Sequence, residues 1–192
     1  MADTTTTATT ERKGFRSNVK PIWCPGCGDH AVLNALVKAL EEMELNTYDV
    51  AVISGIGCSS RIPGYLNSYG YNSIHGRALP IATGVKLTRP EITVVAAGGD
   101  GDGFAIGGNH VMHAARRNID ITYLMMDNGI YGLTKGQVSP TTPLGYKTKT
   151  TAYGAFENPM NPLAVMLAYG TTFVAQAFAA DMKKLQALII EA

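Results

Sequence analysis

The sequence lacks an excess of charge, because its 16 lysines and arginines nearly balance 15 acidic residues and leave a net charge of +1. We therefore expect no bulk electrostatic attraction to nucleic acid or to an anionic membrane. The sequence also lacks any apolar run of about 18 residues that could cross a membrane, and its start lacks the basic and apolar segments of a secretion signal. These absences predict a cytoplasmic protein whose partners bind at specific sites.

Glycine, in contrast, is abundant. The chain contains 21 glycines among 192 residues, and many fall between Ser54 and Gly108, more than ordinary turns require. Glycine lets the backbone approach a ligand closely, so this distribution indicates a ligand site in that region. A chain of 192 residues with 46% hydrophobic residues is long enough and apolar enough to form one sizeable hydrophobic core. We expect a mobile, threonine-rich tail over residues 1–15 and a single domain over residues 16–192.

Short apolar runs alternate along the chain with stretches of helical periodicity. The runs are rich in β-branched residues, as expected for buried strands, and Asp29 is placed to cap the first helix. The predicted strands are 50–53, 92–97, 121–126 and 171–175, and the predicted helices are 29–43, 78–87, 104–117, 162–169 and 181–191. This alternation predicts an α/β fold, with a doubly wound, mostly parallel sheet covered by helices on both faces.

Two segments depart from the alternation. Residues 132–161 contain several prolines and no predicted element, and a loop of that length in a compact domain usually serves function. We expect it to be ordered and to lie over a site. The last predicted helix reaches Ala192 with no cap and no following strand, which indicates a chain that is truncated at its C-terminus.

A glycine-rich segment with two aspartates follows the strand predicted at 92–97. It reads Gly-Gly-Asp-Gly-Asp-Gly from Gly98 to Gly103 and leads into a helix. Ligands bind at this end of strands in open parallel sheets, and glycine amides at a helix start favour a phosphate. Asp100 would repel a diphosphate unless a cation lay between them. The segment therefore predicts a metal-bridged phosphate.

The next predicted strand, 121–126, ends in a second set of oxygen ligands. Asn128 lies 28 residues after Asp100, at what should be the neighbouring strand end. The Asp100 carboxylate, the Asn128 amide oxygen, the Ile130 carbonyl, two diphosphate oxygens and one water would complete an octahedron around Mg²⁺. Competing motifs are incomplete, since the sequence has neither a full EF-hand loop nor a P-loop.

Three cysteines occur, and two of them form a Cys-x-x-Cys pair. Cys24 and Cys27 precede the first predicted helix, and Cys58 follows the first predicted strand. Such a pair can be a redox dithiol, half of a zinc site or half of an iron–sulfur site. The third cysteine favours a four-thiolate site over a dithiol exchanger, with the fourth thiolate missing from this sequence.

With these motifs the sequence resembles thiamine diphosphate enzymes and, more narrowly, the β subunit of 2-oxoacid:ferredoxin oxidoreductases, especially the 2-oxoglutarate type. The resemblance spans roughly residues 23–192. It rests on the Gly-Asp-Gly and asparagine spacing, and on Tyr-Gly-Leu-Thr-Lys-Gly-Gln at 131–137. It also includes Trp-Cys-Pro-Gly-Cys-Gly at 23–28, Gly-Ile-Gly-Cys-Ser-Ser-Arg at 55–61 and His-Gly-Arg-Ala-Leu-Pro at 75–80.

The resemblance implies the thiamine diphosphate-binding fold, with thiamine diphosphate, Mg²⁺ and one [4Fe-4S] cluster as cofactors. Cys24, Cys27 and Cys58 match three cluster ligands, and the fourth lies downstream of this chain. His75 matches a histidine that faces the thiamine diphosphate. The residues expected to bind the cofactor and its metal are Gly57, Ser59, His75, Gly99, Asp100, Gly101, Asp102, Asn128, Ile130, Tyr131 and Gly132.

The resemblance also implies a reaction and its partners. The expected reaction is CoA-dependent oxidative decarboxylation of 2-oxoglutarate, or a related 2-oxoacid, to acyl-CoA and CO2 with reduction of ferredoxin. The expected partners are ferredoxin and an α subunit that carries the aminopyrimidine glutamate and the CoA site, in a dimer of heterodimers. Arg61 and Lys135 adjoin cofactor motifs and could pair with a substrate carboxylate. Thr134 and His75 complete the expected catalytic set.

Two alternatives remain open from the sequence. A non-redox thiamine diphosphate decarboxylase or carboligase subunit would need the diphosphate site without the cluster. A non-catalytic zinc or iron–sulfur electron-transfer module would need the cysteines without the thiamine diphosphate. The iron and thiamine diphosphate contents of the purified complex separate all three functions.

Overall fold

A computed structural model describes residues 14–192 and contains a four-stranded, fully parallel sheet. In chain order its strands are β1 (Val50–Ser54), β2 (Tyr69–Asn72), β3 (Thr93–Gly99) and β4 (Thr122–Met126), and their spatial order is β2-β1-β3-β4. The helices are α1 (Gly28–Glu42), α2 (Ala78–Thr88), α3 (Gly108–Arg117), α4 (Pro162–Ala168) and α5 (Met182–Glu191). The predicted α/β class with a parallel sheet is therefore confirmed.

Helices cover both faces of the sheet, because successive side chains of each strand point to opposite sides. On one face Val50 and Val52 of β1 belong to a buried cluster with residues of α1 and α5. On the other face Ala51 and Ile53 belong to a second cluster with residues of α2 and α3. All five residues of β1 are buried, so the carboxyl ends of the central strands are held on a rigid base.

The strand predicted at 171–175 is wrong. Residues 171–179 are irregular, although they are apolar and β-branched. They line the same cavity as β4, and every residue of β4 is only half-buried. Strand propensity is realised through pairing with a neighbour, and this segment has none among residues 14–192. It is anchored instead by the Asn118 side chain, whose Oδ1 accepts a hydrogen bond from the Thr172 N–H at 3.2 Å.

Two other boundaries differ from the sequence prediction. Helix α1 begins at Gly28 with Cys27 as its N-cap, so Asp29 lies inside the first turn and does not cap it. Phe15 is 2% exposed within the core, so it belongs to the packed domain and not to the tail. One aromatic residue after a polar run gives no periodic signal, which is why the sequence missed it. The rest of the predicted tail, residues 1–13, lies outside the described residues.

Some elements gave no signal in the sequence. All four residues of β2 are exposed, so no apolar pattern marks this strand. The glycine motif itself winds into a π-helix, Gly101–Ile106, directly before α3. Within the predicted loop, residues 132–161, the one strand is β6 (Gln137–Val138), which pairs antiparallel with β5 (Ile130–Tyr131) just before the loop. Among the described helices, none is long and apolar enough to cross a membrane.

Candidate active site

The carboxyl ends of β1, β3 and β4 meet at one edge of the sheet and border a cavity of about 1830 Å³. This volume also includes the gap between β4 and residues 171–179, so the ligand site is only part of it. The predicted site residues that line the cavity are Cys24, Cys27, Gly57, Cys58, Ser59, His75, Gly99, Asp100, Gly101, Asp102, Asn128, Ile130, Tyr131, Gly132 and Thr134. Segments far apart in the sequence thus converge as the parallel sheet requires.

Arg61 and Lys135 are the two predicted site residues that do not line this cavity. Arg61 borders a separate, smaller depression with Tyr65 and Asn72. Lys135 is exposed in the tight turn that follows β5, with φ +80°. Its neighbour Thr134 does line the cavity, and the Thr134 hydroxyl donates to Gln137 Oε1 at 2.5 Å. Lys135 is therefore closer in sequence than Arg61 to a residue that lines the cavity.

Asp100 carries a nearly buried carboxylate, 2% exposed, at the end of β3. Its Oδ2 accepts a hydrogen bond from the Thr141 hydroxyl at 2.7 Å. Among the described residues no donor reaches its other oxygen, although the residue lines the cavity. An ionised carboxylate with so few partners is costly to bury. A cation in the cavity would supply the missing partner.

Thr141 belongs to the long loop and ties two strand ends together. Its hydroxyl oxygen lies 2.7 Å from Asp100 Oδ2 and 2.7 Å from Asp127 Oδ1. A hydroxyl has one proton, so it can donate to only one carboxylate at a time. The adjacent Thr142 donates to the Gly129 carbonyl at 2.5 Å and accepts from the Ser139 N–H at 2.7 Å. The loop therefore fixes the turn that follows β4.

The turn after β4 presents further oxygens. Asn128 Oδ1 accepts a hydrogen bond from the Ile130 N–H at 3.2 Å, and Gly129 has φ +69°, which favours glycine. An amide oxygen has two lone pairs, so Asn128 could still bind a cation while keeping this contact. Asp100, Asn128 and the Ile130 carbonyl are the hard oxygen donors that Mg²⁺ prefers.

Tyr131 explains the glycine at position 101. Its hydroxyl donates to the Gly101 carbonyl at 2.9 Å, and a Cβ at Gly101 would lie 2.4 Å from the Tyr131 ring. Any side chain there would push the ring away. Burial raises the pKa of Tyr131, and the charges of Asp100 and Asp102 raise it further, so the phenol stays protonated and remains a donor.

His75 and Asp102 form a close pair at the cavity wall. His75 Nδ1 lies 2.6 Å from Asp102 Oδ1, and the imidazole packs edge-on against Tyr131, with ring centroids 6.2 Å apart. The His75 side chain is 34% exposed, whereas that of Asp102 is 2% exposed. The histidine can therefore meet a ligand while its partner stays enclosed.

The three cysteines line the same cavity as the diphosphate motif. Burial raises the pKa of the Cys58 thiol, the charge of Asp29 raises it further, and Arg61 lowers it. Burial likewise raises the pKa of Cys27. Without a metal the Cys27 and Cys58 thiols are protonated at neutral pH, so metal binding there would release protons. In residues 14–192 no three His, Cys, Asp or Glu side chains converge on one ion, but each thiolate of an iron–sulfur cluster binds a different iron.

Sequence reasoning missed two connections in this site. It placed a loop over the cavity and named Gly132, Thr134 and Lys135 in it, but it did not identify Thr141, which supplies the contact to Asp100. It named His75 and Asp102 separately and not as a pair. The only signal for Thr141 was a Ser-Pro-Thr-Thr-Pro run within the loop, and hydroxyl residues are too common in loops to be assigned from that alone.

We expect Thr141→Val to weaken Mg²⁺ binding by about 10- to 100-fold, the usual loss when a group that orients a metal ligand is removed. Valine keeps the shape of threonine but cannot hydrogen-bond to Asp100. Titration of the apo protein with Mg²⁺ and thiamine diphosphate, followed calorimetrically, measures the change. Thr150→Val is the matched control, because among residues 14–192 its hydroxyl contacts only Thr148 and the Gly136 carbonyl. Equal affinities for the Thr141 variant and the unaltered protein would contradict this role.

Comparison with known proteins gives a concordant result. Residues 55–192 match the C-terminal TPP-binding domain of thiamine pyrophosphate enzymes. The chain is 50% identical over 169 residues to the 2-oxoglutarate oxidoreductase subunit KorB of Mycobacterium tuberculosis, covering 88% of this chain and 45% of that protein. It is 50% identical over 155 residues to the 2-oxoglutarate synthase subunit KorB of Methanocaldococcus jannaschii, covering 81% and 57%.

A solved structure agrees with these relatives. The fold matches a 2-oxoglutarate:ferredoxin oxidoreductase from Magnetococcus marinus, solved with 2-oxoglutarate, coenzyme A and succinyl-CoA bound. The TM-score is 0.91 at 52% identity, covering 96% of this chain and 63% of that chain. This chain spans about half the length of the curated relatives it matches. It belongs to the thiamine pyrophosphate enzymes, in which it is similar to the KorB-type β subunits of 2-oxoacid:ferredoxin oxidoreductases.

Proposed function

We propose that this chain is part of the β subunit of a 2-oxoglutarate:ferredoxin oxidoreductase. The reaction converts 2-oxoglutarate and CoA to succinyl-CoA and CO2, and two electrons pass to ferredoxin. The observation that carries this proposal is the 52% identity to an oxidoreductase solved with 2-oxoglutarate, coenzyme A and succinyl-CoA. The cavity supports it, because the carboxylate, histidine and thiol groups that this chemistry requires line one space.

Thiamine diphosphate would bind along the carboxyl ends of β1, β3 and β4. When bound, it supplies the carbanion that adds to the keto group and then takes up the electron pair left by CO2. The chain's own task is to hold the diphosphate and its Mg²⁺. Asp100, Asn128 and the Ile130 carbonyl would bind the metal, and the backbone near Gly57 and Gly99 would approach the diphosphate. The buried, under-partnered carboxylate of Asp100 supports this fit.

We assign Cys24, Cys27 and Cys58 as three ligands of a [4Fe-4S] cluster, with the fourth from outside this sequence. All three are free thiols on the cavity wall. A cluster there would lie in the same cavity as the thiamine diphosphate and could accept its electrons. Reduced thiols of this kind are kept in the cytoplasm, which is where we place the complex.

The complete site needs a partner. An α subunit would supply the aminopyrimidine glutamate and the CoA site, in a dimer of heterodimers, and ferredoxin would dock on the complex. The open cavity of this chain supports a shared site, since water would have to be excluded from it by another surface.

Lys135 is the cation that we assign to the distal carboxylate of the substrate, with Thr134 beside it as a hydroxyl donor. We expect Lys135→Met to raise the apparent KM for 2-oxoglutarate by about tenfold or more and to change that for pyruvate little, because only the dicarboxylate loses a charge partner. The ratio of kcat/KM for the two acids measures the effect. Lys149→Met is the matched control, since Lys149 is an exposed lysine of the same loop that does not line the cavity. Equal losses on both acids would refute the assignment to Lys135.

The test of the function begins with isolating the full-length subunit that contains this chain, alone and with its α subunit, under anaerobic conditions. We expect substrate-dependent, CoA-dependent ferredoxin reduction only from the complex. Thiamine diphosphate without iron would instead indicate a non-redox decarboxylase. Iron or zinc without thiamine diphosphate would indicate an electron-transfer module.

A further inference from the structure

Asp102 is enclosed at the centre of the site, and one of its oxygens lies within hydrogen-bond distance of three nitrogen atoms. Oδ1 lies 2.9 Å from the Ile56 N–H, 2.8 Å from the Gly76 N–H and 2.6 Å from His75 Nδ1. Two backbone donors that cannot rotate fix the direction of the carboxylate. The carboxylate is therefore held in place before any ligand arrives, and it is aimed at the imidazole.

Glycines create the space that this carboxylate occupies. A Cβ at Gly55 would lie 1.9 Å from Asp102 Oδ2, and a Cβ at Gly98 would lie 3.1 Å from it. Gly76 has φ +73°, and a Cβ there would lie 2.6 Å from the Gly107 N atom. The Gly55 segment thus closes on Asp102 Oδ2, and the Gly76 N–H closes on Oδ1. Its second oxygen is enclosed by backbone, which leaves little room for direct contact with a cofactor.

The geometry points to Asp102 as a positioning residue that holds His75 with its proton on Nδ1 and its Nε2 facing the cavity. Asp102 Oδ1 already accepts two backbone N–H bonds, so it faces His75 as an acceptor and the third bond requires a proton on His75 Nδ1. The opposite ring nitrogen then carries a lone pair. His75 lines the cavity, and no donor among residues 14–192 reaches its Nε2.

This arrangement gives His75 a defined chemical capacity. A neutral imidazole with an Nδ1 proton accepts a hydrogen bond or a proton at Nε2, and the Asp102 charge stabilises the imidazolium that results. Tyr131 limits rotation of the ring from the side. The identity of the group that contacts Nε2 rests on the proposed function, under which that group is the cofactor or the 2-oxoacid. The tautomer of His75 and its dependence on Asp102 do not rest on the proposed function.

The first test is the protonation state of His75 in the intact complex. Solid-state NMR of the holo complex, labelled with ¹⁵N-histidine, identifies which ring nitrogen carries the proton, and the signal missing from the His75→Ala complex assigns the residue. We expect protonated Nδ1 and unprotonated Nε2. The opposite tautomer, with the proton on Nε2, would overturn the proposal whether or not the complex is an oxidoreductase.

A double-mutant cycle tests the function of the pair in the same complex. We expect Asp102→Asn to lower kcat by about 10- to 100-fold, while KM and the thiamine diphosphate content stay within about twofold. In the His75→Ala background, the same change should alter kcat by less than about twofold, because Asp102 acts through His75. Asp120→Asn, which removes an exposed carboxylate that pairs with Lys86, should leave kcat unchanged.

Two outcomes of the cycle would overturn the proposal. Independent, multiplicative losses from the two substitutions would give Asp102 a role apart from His75. Loss of thiamine diphosphate from the Asp102→Asn complex would make Asp102 a cofactor-binding residue. If the Asp102 variant does not fold, the ¹⁵N spectrum of the unaltered complex still decides the tautomer. Absence of ferredoxin reduction with the expected tautomer would count against the proposed function alone.

Discussion

Asp100→Ala should abolish retention of Mg²⁺ and thiamine diphosphate. The carboxylate is the one charged group among the three proposed metal ligands. Its loss should therefore weaken Mg²⁺ binding by about 100-fold or more, which exceeds the 10- to 100-fold loss typical of groups that only orient a ligand. The substitution also removes a carboxylate that is 2% exposed and has one hydroxyl partner in the described structure. We therefore expect the apo variant to be at least as stable as the apo protein, because functional groups of this kind cost stability.

Cofactor analysis after gel filtration and the melting temperatures with and without Mg²⁺ and thiamine diphosphate test this prediction. The unaltered protein should gain stability from the ligands, and the variant should not. Asp49→Ala is the matched control, since Asp49 is an exposed carboxylate that does not line the cavity. Stoichiometric magnesium and thiamine diphosphate in the Asp100 variant would contradict the proposed metal site.

Cys58→Ser should remove most of the iron and acid-labile sulfide from the complex. Serine keeps the size of cysteine, but a hydroxyl is a harder and far less acidic ligand than a thiol. Cys58 begins the turn that leads into the 3₁₀-helix Ser59–Tyr65, and its carbonyl accepts a 2.7 Å hydrogen bond from the Trp23 indole. That bond involves the backbone and survives the substitution. The fold should therefore persist while ferredoxin reduction falls to background.

Ser60→Ala is the matched control for Cys58. The Ser60 hydroxyl is buried in the same 3₁₀-helix without a hydrogen-bond partner in the described chain, so its removal should leave iron content unchanged. Thiamine diphosphate content should stay unchanged in both variants. Full iron and sulfide content in the Cys58→Ser complex would exclude Cys58 as a ligand and favour a structural thiol.

The sequence predicted most of the sheet because buried strands carry a local signal. The segments 50–53, 92–97 and 121–126 are apolar and β-branched, and each corresponds to a strand. The same signal failed at 171–175, because pairing depends on what lies beside a segment and not on its own residues. Strand β2 was missed, because its residues pair with β1 but are all exposed and so carry no apolar pattern.

The site was predictable where a motif places its own chemistry at a strand end. Asp100 and Asn128 each follow a strand, and parallel strands bring their carboxyl ends to one edge. The pairing of His75 with Asp102 was not predictable, because it joins segments 27 residues apart through one rotamer. Thr141 was missed for the same reason, since 41 residues separate it from Asp100. Asp29 was misassigned as a cap because helix boundaries shift by a residue or two without changing the apolar pattern.

The most direct measurement of the central claim is ferredoxin reduction by the anaerobically purified complex of this chain's full-length subunit with its α subunit. With 2-oxoglutarate and CoA we expect two ferredoxins reduced for each succinyl-CoA formed, and none without CoA or with the Asp100→Ala complex. The same preparation should contain thiamine diphosphate, magnesium and iron. Release of CO2 and an aldehyde from 2-oxoglutarate without electron transfer, by a complex that contains no iron, would contradict the claim.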